Sequence, residues 1–171
     1  MAVFEIALAY TLANEGGFVD DPLDRGGATN MGITQGTLST YLGRQASQDD
    51  VANLSKTVAA TIYRKFYWAK IQGDSLTDQA IAVLLFDMAV LMGPTQATKL
   101  AQNAVSATPD GLLGPKTLAA LNGCSASKFT LKFYRSCVKM FLELVASKPS
   151  QLKFLPGWIK RSDEMLDNFI V

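Results

Sequence analysis

Histidine is absent from the 171 residues. That removes imidazole acid–base chemistry, Ser-His-Asp and Cys-His triads and His-ligated zinc, so any catalysis must run on carboxylates, hydroxyls, amines or backbone dipoles. Cysteine is nearly absent too. Cys124 and Cys137 are too few for a disulfide scaffold and lack metal-ligand spacing, so they read as buried or half-buried thiols compatible with a reducing compartment. Neither a metal nor a cofactor is called for. Charge is sparse and balanced: 18% of residues are charged, with 16 Lys+Arg against 15 Asp+Glu, which fits neither a disordered tail nor a nucleic-acid partner. Long apolar runs are missing as well, since the longest, at 80–92, is interrupted by Asp87 and is too short to cross a bilayer. The opening Met1-Ala2-Val3-Phe4-Glu5 has no basic segment or cleavage site, so no Sec signal peptide is expected there.

What is present is a chain that is 49% apolar and of single-domain length, able to bury about 70% of its unfolded surface without staples. Val3, Ile6, Ala7 and Tyr10 recur at helical spacing, and the run stops at Glu15-Gly16-Gly17. From 18 to 34 the sequence turns to Asp, Pro and Gly, which predicts a long loop or a small β-hairpin. Helices are predicted over 35–42, over 55–68 after an Asp49-Asp50 turn, and over 78–92. The last is apolar nearly all round and is the expected central helix. Further helices are predicted over 95–105, 115–121, 127–147 and 158–169, with no repeat or low-complexity linker between them. The fold class is therefore mainly α, with one small β element near the N-terminus.

Only four glutamates occur, and Glu15 alone precedes a glycine pair. A carboxyl at a helix C-terminal end meets partial negative charge, which raises its pKa, and partial burial against Phe18 would push the same way. A proton donor near neutral pH is what glycosidic cleavage requires. Such cleavage also needs a group across the bond. Asp24 lies nine positions on, Asp20 and Asp21 are rivals, and Thr29 and Thr34 supply hydroxyls that could hold water. The plain alternative is a solvated helix end followed by an ordinary Asp-Gly turn.

The order of motifs adds to this. Glu15-Gly16-Gly17-Phe18, then Asp24-Arg25-Gly26-Gly27-Ala28-Thr29 and Gly32-Ile33-Thr34, resembles the signature of glycoside hydrolase family 108. The resemblance continues through Ile62-Tyr63-Arg64 with Tyr67-Trp68, Phe86-Asp87-Met88-Ala89-Val90, Asp110-Gly111 with Gly114-Pro115-Lys116-Thr117, and Gly157-Trp158 with Arg161. It implies a lysozyme-like fold and an N-acetylmuramidase cleaving the β-1,4 bond after N-acetylmuramic acid in peptidoglycan. Glu15 matches the family's acid, and Asp24, Thr29 and Thr34 match neighbouring motif positions. The chain departs from the pattern at Ala28, where an acidic or polar residue is usual, and at Leu91, where Asn is common.

The expectation is one catalytic domain over 1–171, with the motif region at 1–92 and a helical region resembling peptidoglycan-binding modules at 93–171. Phe18, Gln35, Tyr67 and Trp68 are candidate sugar-binding residues, although core packing is the alternative for the aromatics, Tyr63 included. Asp87 reads as a structural hydrogen-bonder or a cleft residue. Lys128, Lys132, Arg135 and Lys139 fall on one helical stripe, either a solvated edge or a strip for anionic envelope. Phage endolysins resemble this family. On that basis a monomer is expected in the host bacterial cytoplasm, reaching the periplasm or wall through a holin or a membrane segment outside the chain. The rival functions are a catalytically silent wall-binding or secretion-accessory protein and a lytic transglycosylase.

Overall fold

The computed structural model describes residues 1–14 and 28–170. The candidates Glu15, Phe18 and Asp24 lie outside them. In chain order the described elements are α1 (Phe4–Asn14), β1 (Thr29–Asn30), β2 (Ile33–Thr34), α2 (Gln35–Leu42), α3 (Gln48–Ala52), α4 (Lys56–Tyr63), α5 (Gln79–Met92), α6 (Pro94–Ala104), α7 (Pro115–Asn122), α8 (Ala126–Ser147) and α9 (Leu155–Phe169). Among the described residues, no helix is long and apolar enough to cross a membrane.

The most apolar stretch of sequence forms the centre. Asp78 caps α5 by accepting from the Ile81 amide, and every residue from Ile81 to Ala89 is buried. Helices α1, α6 and α8 pack around it, and α9 lies along α8. Phe4 of α1, Phe86 of α5 and Trp68 meet edge to face with ring centroids 5.5 to 5.8 Å apart. Each such side chain contributes roughly 1.5–3 kcal/mol through burial, so this triangle fixes the start of α1 against the core.

The single helix predicted over 55–68 is instead α4 followed by a π-turn at Arg64–Trp68, where the Ala69 amide bonds to the Arg64 carbonyl. Ser55 is the cap, as its position predicts. In an unbroken helix the buried stripe of Ile62 and Tyr63 would continue at 66 and 70. The extra residue advances it to Trp68 and Ile71, both fully buried. Gly73 completes the seat, because a Cβ there would stand 2.2 Å from the Trp68 ring.

The Asp49-Asp50 turn is in fact α3. Ser47 and Asp50 form a reciprocal capping box, and Arg44 clamps Asp50 with two bonds of 2.7 and 2.9 Å. Helix α9 starts three residues earlier than predicted, after a 3-10 turn at Pro149–Phe154. The only β structure among the described residues is the hairpin pairing Thr29 with Thr34 and Asn30 with Ile33. Met31 and Gly32 both take positive φ, the requirement of a two-residue primed turn. The Tyr63 hydroxyl donates to the Met31 carbonyl at 2.7 Å, and Asn30 Nδ2 donates to the Val51 and Ala52 carbonyls, so the hairpin is anchored from two sides.

Cys137 is buried and Cys124 half-buried, and both are free thiols. Burial, with Asp87 nearby, pushes the Cys137 thiol well above its ordinary pKa.

Candidate active site

Helix α1 ends beside a cavity of about 350 Å³. Ala13 and Asn14 form its α1 edge, and Leu91 projects from the last turn of α5. The facing wall is α9, which contributes Gly157, Trp158, Lys160, Arg161 and Glu164. Trp158 is held between stacked rings, Phe141 at 5.1 Å and Phe154 at 5.9 Å between centroids, so this wall is rigidly mounted. Leu91 makes the α5 side of the cavity apolar where an Asn would have made it polar.

Asp87 positions the cationic group of that wall. Its side chain is 2% exposed, and it accepts from Arg161 Nε at 2.9 Å and Nη2 at 2.8 Å. The fork–fork geometry fixes the guanidinium plane. A guanidinium has five N–H donors, so two bonds to Asp87 orient Arg161 without exhausting it. Asp87 is thus both structural and, through Arg161, coupled to the cavity. On α1, burial and then the Asp87 charge raise the Tyr10 pKa, which keeps the phenol neutral. Asn14 Nδ2, Thr11 Oγ1 and Tyr10 Oη are buried with no hydrogen-bond partner among the described residues, although the Asn14 and Asn168 amides flank the phenol. The Asn14 amide thus stands against the Tyr10 phenol at the edge of the cavity.

The remaining candidates have other tasks. Trp68 is fully buried and its indole N–H donates to Asp74 at 2.8 Å, so it is a core residue and not a sugar platform. Tyr63 is likewise buried, while Tyr67 is half-buried and tilted against it. The Gln35 amide donates to the Ala46 carbonyl at 2.6 Å, tying α2 to the following loop. Thr34 caps α2, its hydroxyl accepting from the Thr37 amide, and Thr29 faces it across the hairpin. None of these described candidates lines the cavity beside α1. Ala28, the first departure from the family pattern, is fully buried. Sequence reasoning did not find Asn14, Lys160 or Glu164. The signal available was their helical register, with Lys160 and Glu164 one turn apart around Arg161.

The family profile described as Glycosyl hydrolase 108 matches residues 8–93. The chain belongs to glycosyl hydrolase family 108. A second profile, Predicted Peptidoglycan domain, matches residues 96–163. The solved structure of SagA from Brucella abortus superposes with a TM-score of 0.83 at 36% identity, covering 96% of this chain and 91% of that one. No curated protein matches the chain. This family 108 protein has a lysozyme-like helical fold and is a glycoside hydrolase acting on peptidoglycan. Its cavity joins the two matched regions, with Asn14 and Leu91 from the first and Trp158, Lys160 and Arg161 from the second.

Proposed function

We propose that the chain is a muramidase that hydrolyses the β-1,4 bond between N-acetylmuramic acid and N-acetylglucosamine, with Glu15 as general acid. The observation that carries this reading is the cavity edged by Asn14, because Glu15 is the next residue in the chain and follows the described end of α1. The sequence sets Glu15 before a glycine pair that can stop a helix, and a carboxyl at such an end favours its protonated form.

In the proposed reaction Glu15 delivers its proton to the glycosidic oxygen as the C1–O bond breaks, and water supplies the hydroxyl at C1. Asp24 is the second group, as base or nucleophile. The alternative is a water held at Thr29 and Thr34, whose direct pairing puts both side chains on one face of the hairpin. The motif region at 1–92 would carry the chemistry and the 93–171 region the wall contacts. An endolysin role, acting as a monomer from the host cytoplasm with passage by a holin, fits this activity.

Mass spectrometry of products released from purified sacculi tests the assignment. Hydrolysis leaves reducing-end muramic acid. Release of 1,6-anhydromuramic acid would make the chain a lytic transglycosylase, and binding without release would make it a silent wall-binding protein.

A further inference from the structure

The lysine stripe on α8 borders two recesses, with Lys132 half-buried and Lys128 and Lys139 exposed. Cys124, just before the helix, and Lys128 and Lys132 line one cavity of about 440 Å³. Ser136, Lys139, Met140 and Glu143 continue the same helical row along a second cavity of about 490 Å³. The opposite wall is α6, with Gln96, Lys99 and Asn103 at the second cavity and Ala104 and Val105 at the first. The two cavities thus follow one groove between α6 and α8. Arg135, expected in the stripe, is exposed and lines neither cavity.

We propose that this groove binds the carboxylates of peptidoglycan stem peptides. The idea rests on the chain acting on peptidoglycan and is independent of which residue protonates the sugar. Charge favours an anion, since four lysines face the groove in a chain whose net charge is only +1. At the Lys128–Lys132 end no carboxylate lines the wall among the described residues. At the other end Glu143 sits 3.8 Å from Lys139, and Asp110 lies within electrostatic reach of Lys99. Lys128 to Lys139 spans eleven helical steps, about 16 Å, and an extended tetrapeptide spans about 13–14 Å. A lipid surface fits less well, because Lys132 is half-buried while Lys128 and Lys139 are exposed, whereas bilayer contact needs charges that reach one plane. The groove lies wholly in the region matched by the peptidoglycan profile, and the catalytic cavity uses the other end of that region.

Cys124 provides the probe. It lines the groove and is half-buried, while Cys137 is buried with its thiol pKa pushed up, so alkylation reads Cys124. Saturating free stem tetrapeptide is expected to slow iodoacetamide labelling of Cys124, and raising salt to reverse the protection. Lys128→Gln with Lys132→Gln should weaken tetrapeptide binding and brief pull-down on chilled sacculi about tenfold, with the melting temperature unchanged. Stripping the peptides from sacculi with an amidase should weaken wild-type binding by a similar factor and leave the variant as it was. Unchanged labelling with tetrapeptide, or a variant that binds sacculi like wild type, overturns the proposal. So does a variant that loses binding to phosphatidylglycerol vesicles while tetrapeptide has no effect, which would assign the groove to lipid. All of these readouts are binding, so a Glu15 variant that stays active would overturn the catalytic assignment and leave this one standing.

Discussion

Asp87 and Arg161 are 74 positions apart and share two hydrogen bonds of 2.8 and 2.9 Å, one residue on the central helix and the other on the wall of the cavity. The pair sets where the guanidinium stands relative to the end of α1. Neither partner is easily lost alone, since Arg161 is 12% and Asp87 2% exposed at the side chain.

Arg161→Met leaves a buried carboxylate unpaired and is expected to lower unfolding free energy by about 3–5 kcal/mol, whereas Asp87→Leu with Arg161→Met should recover most of it. Urea denaturation of Arg161→Met, Asp87→Leu and the double variant measures the coupling. A single-variant loss under about 1 kcal/mol would show that the pair does not hold α9 in place. The double variant should fold and still lose lytic activity, because the cavity no longer has the guanidinium that Asp87 orients and keeps only Lys160 as a cation among the described residues.

Gly73→Ala places a methyl where the Trp68 ring already sits, with the nearest ring carbon 2.2 Å away. Displacing that ring is expected to cost about 1–3 kcal/mol, read as a lower melting temperature with altered tryptophan fluorescence. Unchanged melting would mean that the π-turn adjusts freely.

Hydrogen bonds from Arg44 chiefly, then from Ser47, hold the Asp50 carboxyl well below the usual carboxylate range, and bonds from Gln102 and the Leu112 amide lower that of Asp110. A depressed folded pKa stabilises above the unfolded value, about 4, and that contribution is lost as pH falls toward the folded value. Stability should therefore decline on acidification below about pH 4, and less steeply in Asp50→Asn with Asp110→Asn. Asp110 is exposed and Asp50 half-exposed, so the effect is expected to be modest and to shrink in salt.

Much of this was readable in the sequence where one physical cause dominates. The apolar run interrupted by Asp87 had to be central, Ser55 and Gly93-Pro94 had to punctuate helices, and the Asp-Gly-rich stretch had to contain the β element. The errors came where tertiary demands override local pattern. Nothing in Arg64-Lys65-Phe66 announces a π-turn, because its cause is the seat that Trp68 finds on Gly73. The Ser47-Gln48-Asp49-Asp50 capping box was legible, yet paired aspartates read more readily as a turn. Arg161 stands out in the sequence only as part of the Gly157-Trp158 motif, and only the packing of α9 beside α1 shows that it walls the cavity. Sequence separation of 74 positions hides such a pairing from any periodicity argument.

The second catalytic group can be chosen kinetically. Asp24→Asn is expected to cut turnover at least about a hundredfold with unchanged melting if Asp24 is base or nucleophile. If a threonine-held water does that work, Thr29→Val should carry the larger loss. Thr34→Val should in either case also lower stability by about 1 kcal/mol, because Thr34 caps α2.

The measurement that bears most directly on the account is turnover of purified sacculi by Glu15→Gln, alongside its melting temperature. The assignment of Glu15 as general acid predicts a loss of at least about a hundredfold with melting unchanged. Activity within about threefold of wild type, a barrier change of under 1 kcal/mol, would contradict it.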